Sequence, residues 1–229
     1  MPDIIIPGPA GRLEGRYYHS KQPDAPLALI LHPDPARGGT MNNRITFELF
    51  QAFVARGFST LRFNFRGVGK SQGTYDRGEG ELSDAAAALD WMQEINKNAP
   101  YMWVAGFSFG AWIGMQLLMR RPEIRGFISA SLPTNEYDFT FLAPCPSSGL
   151  IIHGASDNIV PRESVDDMVD KVQLQKGMEI DYRVVPGANH FFHNSCDDLL
   201  VNIHDHLNEA DGGMPVPVDM LMGREEAVA

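Results

Sequence analysis

The chain has 229 residues, 44% of them hydrophobic and 21% charged, with a formal net charge of -10. That length and apolar content suit one globular domain with a substantial core, and the acidic balance weighs against binding nucleic acid or anionic membrane surfaces. No apolar run approaches the roughly 20 residues that cross a bilayer, the start MPDIIIPGPAG lacks the basic segment of a secretory leader, and two cysteines without a CxxC pair predict no disulfide framework, which together point to the cytoplasm.

In chain order, DIII and RLEGRYYH predict a hairpin around PGPAG. LALILH (27–32) is an unbroken apolar run, the mark of a strand buried on both faces. A Pro/Gly-rich loop, PDPARGG, leads into NNRITFELFQAFVARG, where Phe47, Phe50, Phe53 and Val54 predict one buried helical stripe and Gly57 a stop. FSTLRFNF is the next strand, RGVGKSQGTYDRGEG a long glycine-rich loop, and ELSDAAAALDWMQEINKN a helix. YMWVAGF then predicts a strand and SFGAWIGMQLLMRR a helix ended by Pro122. In the second half RGFISAS, GLIIHG and MEIDYRVVPG read as strands. PRESVDDMVDKVQLQKG reads as a helix with proline at its start and glycine at its end, and CDDLLVNIHDHLNEA as a closing helix. Such alternation predicts an α/β domain over 1–210, with a mostly parallel sheet covered by helices on both faces. Residues 211–229 read as a C-terminal tail, first of all a simple extension, with docking of its VPVDMLM stretch on a second copy in a homo-oligomer as the alternative.

One short stretch, GFSFG (106–110), carries chemistry. Ser108 lies where a strand turns sharply into a helix, at the sheet edge where open α/β folds bind ligands. Side chains two residues before or after it would collide with the neighbouring helix or strand, so Gly106 and Gly110 fit a nucleophile elbow, GxSxG. A serine needs a base and an orienting acid, in this fold in the order Ser, Asp or Glu, His. ASDNIVP after GLIIHG places Asp157 at a strand end, and PGANHFF after DYRVV places His190 at another. His193 is the competing base, disfavoured because it is expected to begin the last helix. His153 reads as a packed, hydrogen-bonded histidine. His204 and His206, two apart on a helix, share no face. A metal held by His190 and His193 would want a third ligand that the sequence does not supply.

Acyl transfer also needs donors for a negative oxygen. The residue after the nucleophile, Phe109, supplies one. The other is expected from HPDPARGGTMNN, where Pro33 and Pro35 have no N–H, so the donor within HPDP is Asp34, its carboxylate turned away from the hole. The loop RGVGKSQG contains GKS but is not a phosphate loop, since Asn64 stands where Walker A requires glycine, and Gln72 breaks GxGxxG. Arg66 is expected to hold this loop by hydrogen bonds. Cys145 reads as structural, and Trp112 and Met115 as core.

Over nearly its full length the chain resembles the α/β-hydrolase superfamily, through LALILHPDP, NFRGVGKSQG, GFSFGAW, HGASDNIVP and PGANHFF. More narrowly it is similar to small bacterial predicted hydrolases with an HPxP…GGTMNN stretch. The resemblance implies an eight-stranded sheet with an antiparallel start and Ser108, Asp157 and His190 as the catalytic triad. Two departures stand out. His32-Pro33 replaces the HG of many relatives, and SLPTNEYDFTFLAPCPSS is too short for the large helical cap many relatives insert there. Tyr137, Phe139 and Phe141 in that stretch either roof the site or pack on the core. The expected activity is cleavage of a small acyl ester or thioester with no cofactor. Peptidase, amidase, acyltransferase and non-catalytic binding roles are the alternatives.

Overall fold

In the computed structural model, residues 3–142, 144–174 and 179–210 are described. Strand β3 (Leu27–Leu31) shows why the sheet is central: all five residues are buried. Leu27, Leu29 and Leu31 enter one apolar cluster, and Ala28 and Ile30 enter the other. Successive side chains of a strand point to opposite faces, so an unbroken apolar run requires cover on both.

The sheet has eight strands in the order β1-β2-β4-β3-β5-β6-β7-β8. Strands β1 (Asp3–Gly8) and β2 (Gly11–Tyr18) form the predicted antiparallel hairpin, and β2 pairs antiparallel with β4 (Ser59–Phe63). From β4 onward every pairing is parallel, through β3, β5 (Met102–Phe107), β6 (Ile124–Ala130), β7 (Gly149–Gly154) and β8 (Ile180–Val185). Helices α2 (Glu79–Ile95), α3 (Phe109–Leu118) and α4 (Arg162–Gln173) cover one face. Helices α1 (Arg44–Ala55) and α5 (Cys196–Ala210) cover the other. No helix among the described residues is long and apolar enough to cross a membrane. The 211–229 tail and its suggested oligomer contact lie outside the described residues, as does the predicted helix stop at Gly177.

Two local readings are corrected. The buried stripe of α1 is Ile45, Leu49, Phe50 and Phe53, while Phe47 is 37% exposed and Val54 only partly buried. At 3.6 residues per turn Phe47 and Val54 fall on the flank of the stripe centred on Leu49, Phe50 and Phe53, and the Arg62 guanidinium of β4 lies 5.2 Å from the Phe47 ring centroid and 5.5 Å from that of Phe50. The last helix begins at Cys196, so His193 sits in the preceding loop, exposed. The connection from β6 to β7 contains, among its described residues, one 3-10 turn (Thr140–Leu142) and no large cap.

The GGTMNN stretch is architectural. Asn43 caps α1, accepting from the Ile45 and Thr46 amides at 3.0 and 3.4 Å. Asn42 accepts from Arg62, and the Met41 amide donates to Asn64 Oδ1, both at 2.8 Å. Arg66 forks onto buried Asp84, donating from Nε and Nη2 at 3.0 and 2.8 Å, which anchors the glycine-rich loop as expected.

Candidate active site

The turn from β5 into α3 forces Ser108 to φ 52°, ψ -119°. That region is costly for a residue with a Cβ, by about 1–3 kcal/mol. The flanking glycines make the turn possible. A Cβ on Gly106 would meet the Gly110 backbone, and one on Gly110 would meet the Leu31 and His32 carbonyls. The elbow is thereby pressed against the end of β3, whose loop carries Asp34. We expect Gly110→Ala to lower thermal stability by several kcal/mol, because the obstructing atoms are backbone. A melt within about 1 °C of the parent would contradict this packing.

Three loops at the C-terminal ends of β5, β7 and β8 bring Ser108, Asp157 and His190 together. Asp157 Oδ2 lies 2.7 Å from His190 Nδ1, and His190 Nε2 lies 3.3 Å from Ser108 Oγ. Asp157 Oδ1 accepts from the Ile159 and Val160 amides at 2.8 and 2.9 Å. Burial pushes the Asp157 carboxyl up, but His190 and these amides outweigh it and hold the group below its ordinary value. An ionised Asp157 accepts a hydrogen bond from the Nδ1–H of His190, which keeps the ring proton on Nδ1 and leaves Nε2 bare toward the Ser108 hydroxyl. The 3.3 Å separation is long but within the range common before substrate binds.

Residues outside the predicted set hold this geometry. Ser131 donates to the His190 carbonyl at 3.0 Å. Asn189 Oδ1 accepts from the Phe191 and His193 amides at 3.1 and 3.3 Å, shaping the histidine loop. His153 is fully buried, with Nε2 3.1 Å from the Val160 carbonyl and 3.8 Å from Asp157 Oδ2. It is packed and hydrogen-bonded as expected, but its Nδ1 has no partner among the described residues. Ser131 has a positive φ of 49°, and none of these roles has a sequence signal of its own.

Asp34 caps a 3-10 turn (Pro35–Arg37), its carboxylate accepting from the Ala36 amide at 2.8 Å and thus folded into its own turn. Phe109 is the first residue of α3, so its amide has no partner within the helix. His32 braces the loop between them. Phe65 N–H donates to His32 Nε2 at 3.0 Å, which puts the ring proton on Nδ1, 2.7 Å from the Pro33 carbonyl. Burial pushes His32 from 6.5 down to about 4. The unfolded chain therefore takes up a proton as pH falls below 6.5 while the folded one does not. Stability is lost progressively toward pH 4, by about 3 kcal/mol for this residue. We expect His32→Phe to flatten the pH dependence of the melting temperature across that interval, and an unchanged slope would refute the assignment.

The ring of Phe109, the residue after Ser108, is buried among aromatic side chains. Phe109 has Phe65, Tyr75, Trp112 and Tyr137 around it at centroid distances of 5.6–6.2 Å. Tyr137 stacks on Trp112 at 4.1 Å, and Trp112, partly buried, packs against the core as expected, as does the buried Met115. Of the other two aromatics in that segment, Phe139 packs in the core and Phe141 stacks on it. Arg37 forks onto Glu136, both contacts at 2.9 Å, tying the Asp34 loop to the β6–β7 connection. Across the sheet, at the opposite end of the strands, Asp181, His206 and Glu209 gather their ligand atoms within 4.8 Å. Arg183 already supplies the cation there, its Nη2 2.7 Å from Asp181 and 3.2 Å from Glu209. Cys145 is buried, with Sγ 3.4 Å from the Ser147 carbonyl.

Comparison with known proteins agrees with this geometry. Residues 11–147 match the family model of the X-Pro dipeptidyl-peptidases (S15 family). An uncharacterised protein of Rickettsia prowazekii is 49% identical over 211 residues, covering 90% of this chain and 89% of its own. The crystal structure of a candidate α/β hydrolase of unknown function from Agrobacterium tumefaciens is 58% identical, superimposes with a TM-score of 0.91, and covers 94% of this chain and 99% of its own. A lidless α/β serine hydrolase from Xanthomonas campestris is 29% identical with a TM-score of 0.82, covering 91% and 94%. An eight-stranded sheet with an antiparallel start, a sharp serine turn and these relatives place the chain in the α/β-hydrolase superfamily, within the family matched by the S15 model.

Proposed function

We propose that this protein is a serine hydrolase that cleaves a carboxylic ester or thioester through an acyl-enzyme. The observation that carries the reading is the continuous hydrogen-bonded chain Asp157, His190, Ser108, ending on a strained turn at the ligand edge of the sheet. Ser108 Oγ attacks the substrate carbonyl while His190 Nε2 takes its proton. The amides of Phe109 and Asp34 stabilise the oxygen that gains charge. His190 returns the proton to the leaving alcohol or thiol as the carbonyl re-forms. Water, deprotonated by the same nitrogen, then releases the acid and restores the serine. None of these steps calls for a metal or organic cofactor. The substrate is a small acyl compound, and the acidic cytoplasmic protein needs neither nucleic acid nor membrane.

A second reading, amide cleavage, is favoured by the family model, whose name is that of a dipeptidyl-peptidase. Two measurements separate the cases. A fluorescent fluorophosphonate should label Ser108 and fail to label the His190→Ala variant. Turnover of p-nitrophenyl butyrate should exceed that of an Ala-Pro p-nitroanilide. Labelling that survives loss of His190 would refute the mechanism, and preference for the anilide would move the protein to the peptidases.

A further inference from the structure

We propose that the cleft between the β6–β7 connection and α4 receives the acyl chain of the substrate, which makes uncharged aliphatic acyl groups of medium length the preferred class. This rests on Ser108 being the nucleophile. The cleft holds about 470 Å³, inside the roughly 300–1,000 Å³ typical of small-molecule sites. At about 30 Å³ for each water-sized unit, an eight-carbon chain of similar volume per carbon fills roughly half of it.

Tyr137 is the shared wall. It lines the cleft and also stacks on Trp112 and packs edge-on against Phe109, the residue after Ser108. The ring of Tyr137 is thus what stands between the cavity and Phe109 of the elbow. Its buried walls are Phe139, Leu142, Met168 and Val172, all apolar. The inner hydroxyls are already satisfied. Thr134 Oγ1 and Ser164 Oγ lie 2.7 Å apart, and Ser164 donates to the Pro161 carbonyl. Asp138 accepts from the amide and hydroxyl of Thr140 at 2.8 Å each. The exposed rim adds Asp167 and Lys171. Two carboxylates against one ammonium disfavour an anionic end group, and the apolar buried walls favour an aliphatic chain.

The direction follows from proton transfer. The leaving group must reach His190 Nε2, so it lies on the side of the 186–195 loop, where Phe191 is 42% exposed. No residue of that loop lines the cleft. The acyl portion extends away from the leaving group, toward Tyr137.

Two phosphonofluoridates with the same fluoride leaving group, one bearing methyl and one octyl on phosphorus, test this. The readout is the ratio of their rate constants for labelling Ser108. The octyl probe is expected to react at least about tenfold faster with the parent protein, since each buried methylene favours it. In Met168→Trp, and separately in Lys171→Trp at the exposed rim, the ratio should fall to within about twofold of unity. Thermal melts establish that each variant is folded, and the rim position keeps the test valid should the buried one fail to fold. A parent ratio near one, or a ratio that persists in a folded variant, overturns the acyl-chain assignment alone. No labelling of the folded parent by either probe overturns the Ser108 assignment and this one with it.

Discussion

Ser108→Ala is expected to reduce turnover of any accepted ester by about 10⁴-fold or more, because no other hydroxyl stands within reach of His190 Nε2 among the described residues. The fold should survive. The Ser108 hydroxyl makes no capping hydrogen bond to α3, and its link to His190 at 3.3 Å is long. Ser108→Gly separates the two roles of the position. Both variants remove the nucleophile, but only glycine tolerates φ 52° without a Cβ penalty. Ser108→Gly should therefore melt higher than Ser108→Ala, the strain relief of about 1–3 kcal/mol being partly offset by glycine's larger unfolded-state entropy. Residual activity above about 1% in either variant would show that the reaction does not pass through this oxygen. Equal melting temperatures would show that the turn stores no strain.

The elbow is legible in the sequence because its constraint is local. Only glycine fits at 106 and 110, and an apolar run on each side fixes the strand and the helix. Asp157 and His190 are legible for a related reason, since each follows a recognisable strand and parallel strands deliver their C-terminal ends to one edge. What stays hidden depends on partners distant in the chain. Phe47 is as apolar as Phe50 and Phe53, yet the way α1 is turned onto the sheet leaves it on the flank of the buried stripe, 37% exposed. The Arg37–Glu136 fork joins residues 99 positions apart, and nothing in either local stretch announces it.

The segment 131–148 shows the limit most clearly. Its described residues have almost no regular structure, so no periodicity separates the partly buried Tyr137 from the buried Phe139, although they stand two residues apart. Their division follows from stacking on Trp112 and from the approach of α4, both of which are tertiary facts. Likewise His32-Pro33 departs from the HG of many relatives, and only in the fold does the histidine ring span from the Phe65 amide to the Pro33 carbonyl. The proline costs no hydrogen bond there, since the contact uses its carbonyl.

Asp157→Asn should leave the fold nearly intact and still lower turnover by about 10⁴-fold. The asparagine oxygen can accept from the Ile159 and Val160 amides as Asp157 Oδ1 does. Its amide nitrogen then faces His190 Nδ1 and donates to it, so the ring proton moves to Nε2, and a protonated Nε2 cannot take the Ser108 proton. The substitution also changes acid stability in a direction fixed by the carboxyl. Asp157 is held below its ordinary value, by His190 and two amides against burial, so its stabilising contribution is present above the unfolded value near 4 and is lost as pH falls through the lower folded value. The asparagine variant lacks that loss, and its melting temperature should fall less steeply below pH 4 than that of the parent. Full activity in Asp157→Asn would assign orientation of His190 to another group, with the nearby His153 as the first to substitute. A parallel acid profile would mean that the carboxyl titrates alike in the folded and unfolded chains.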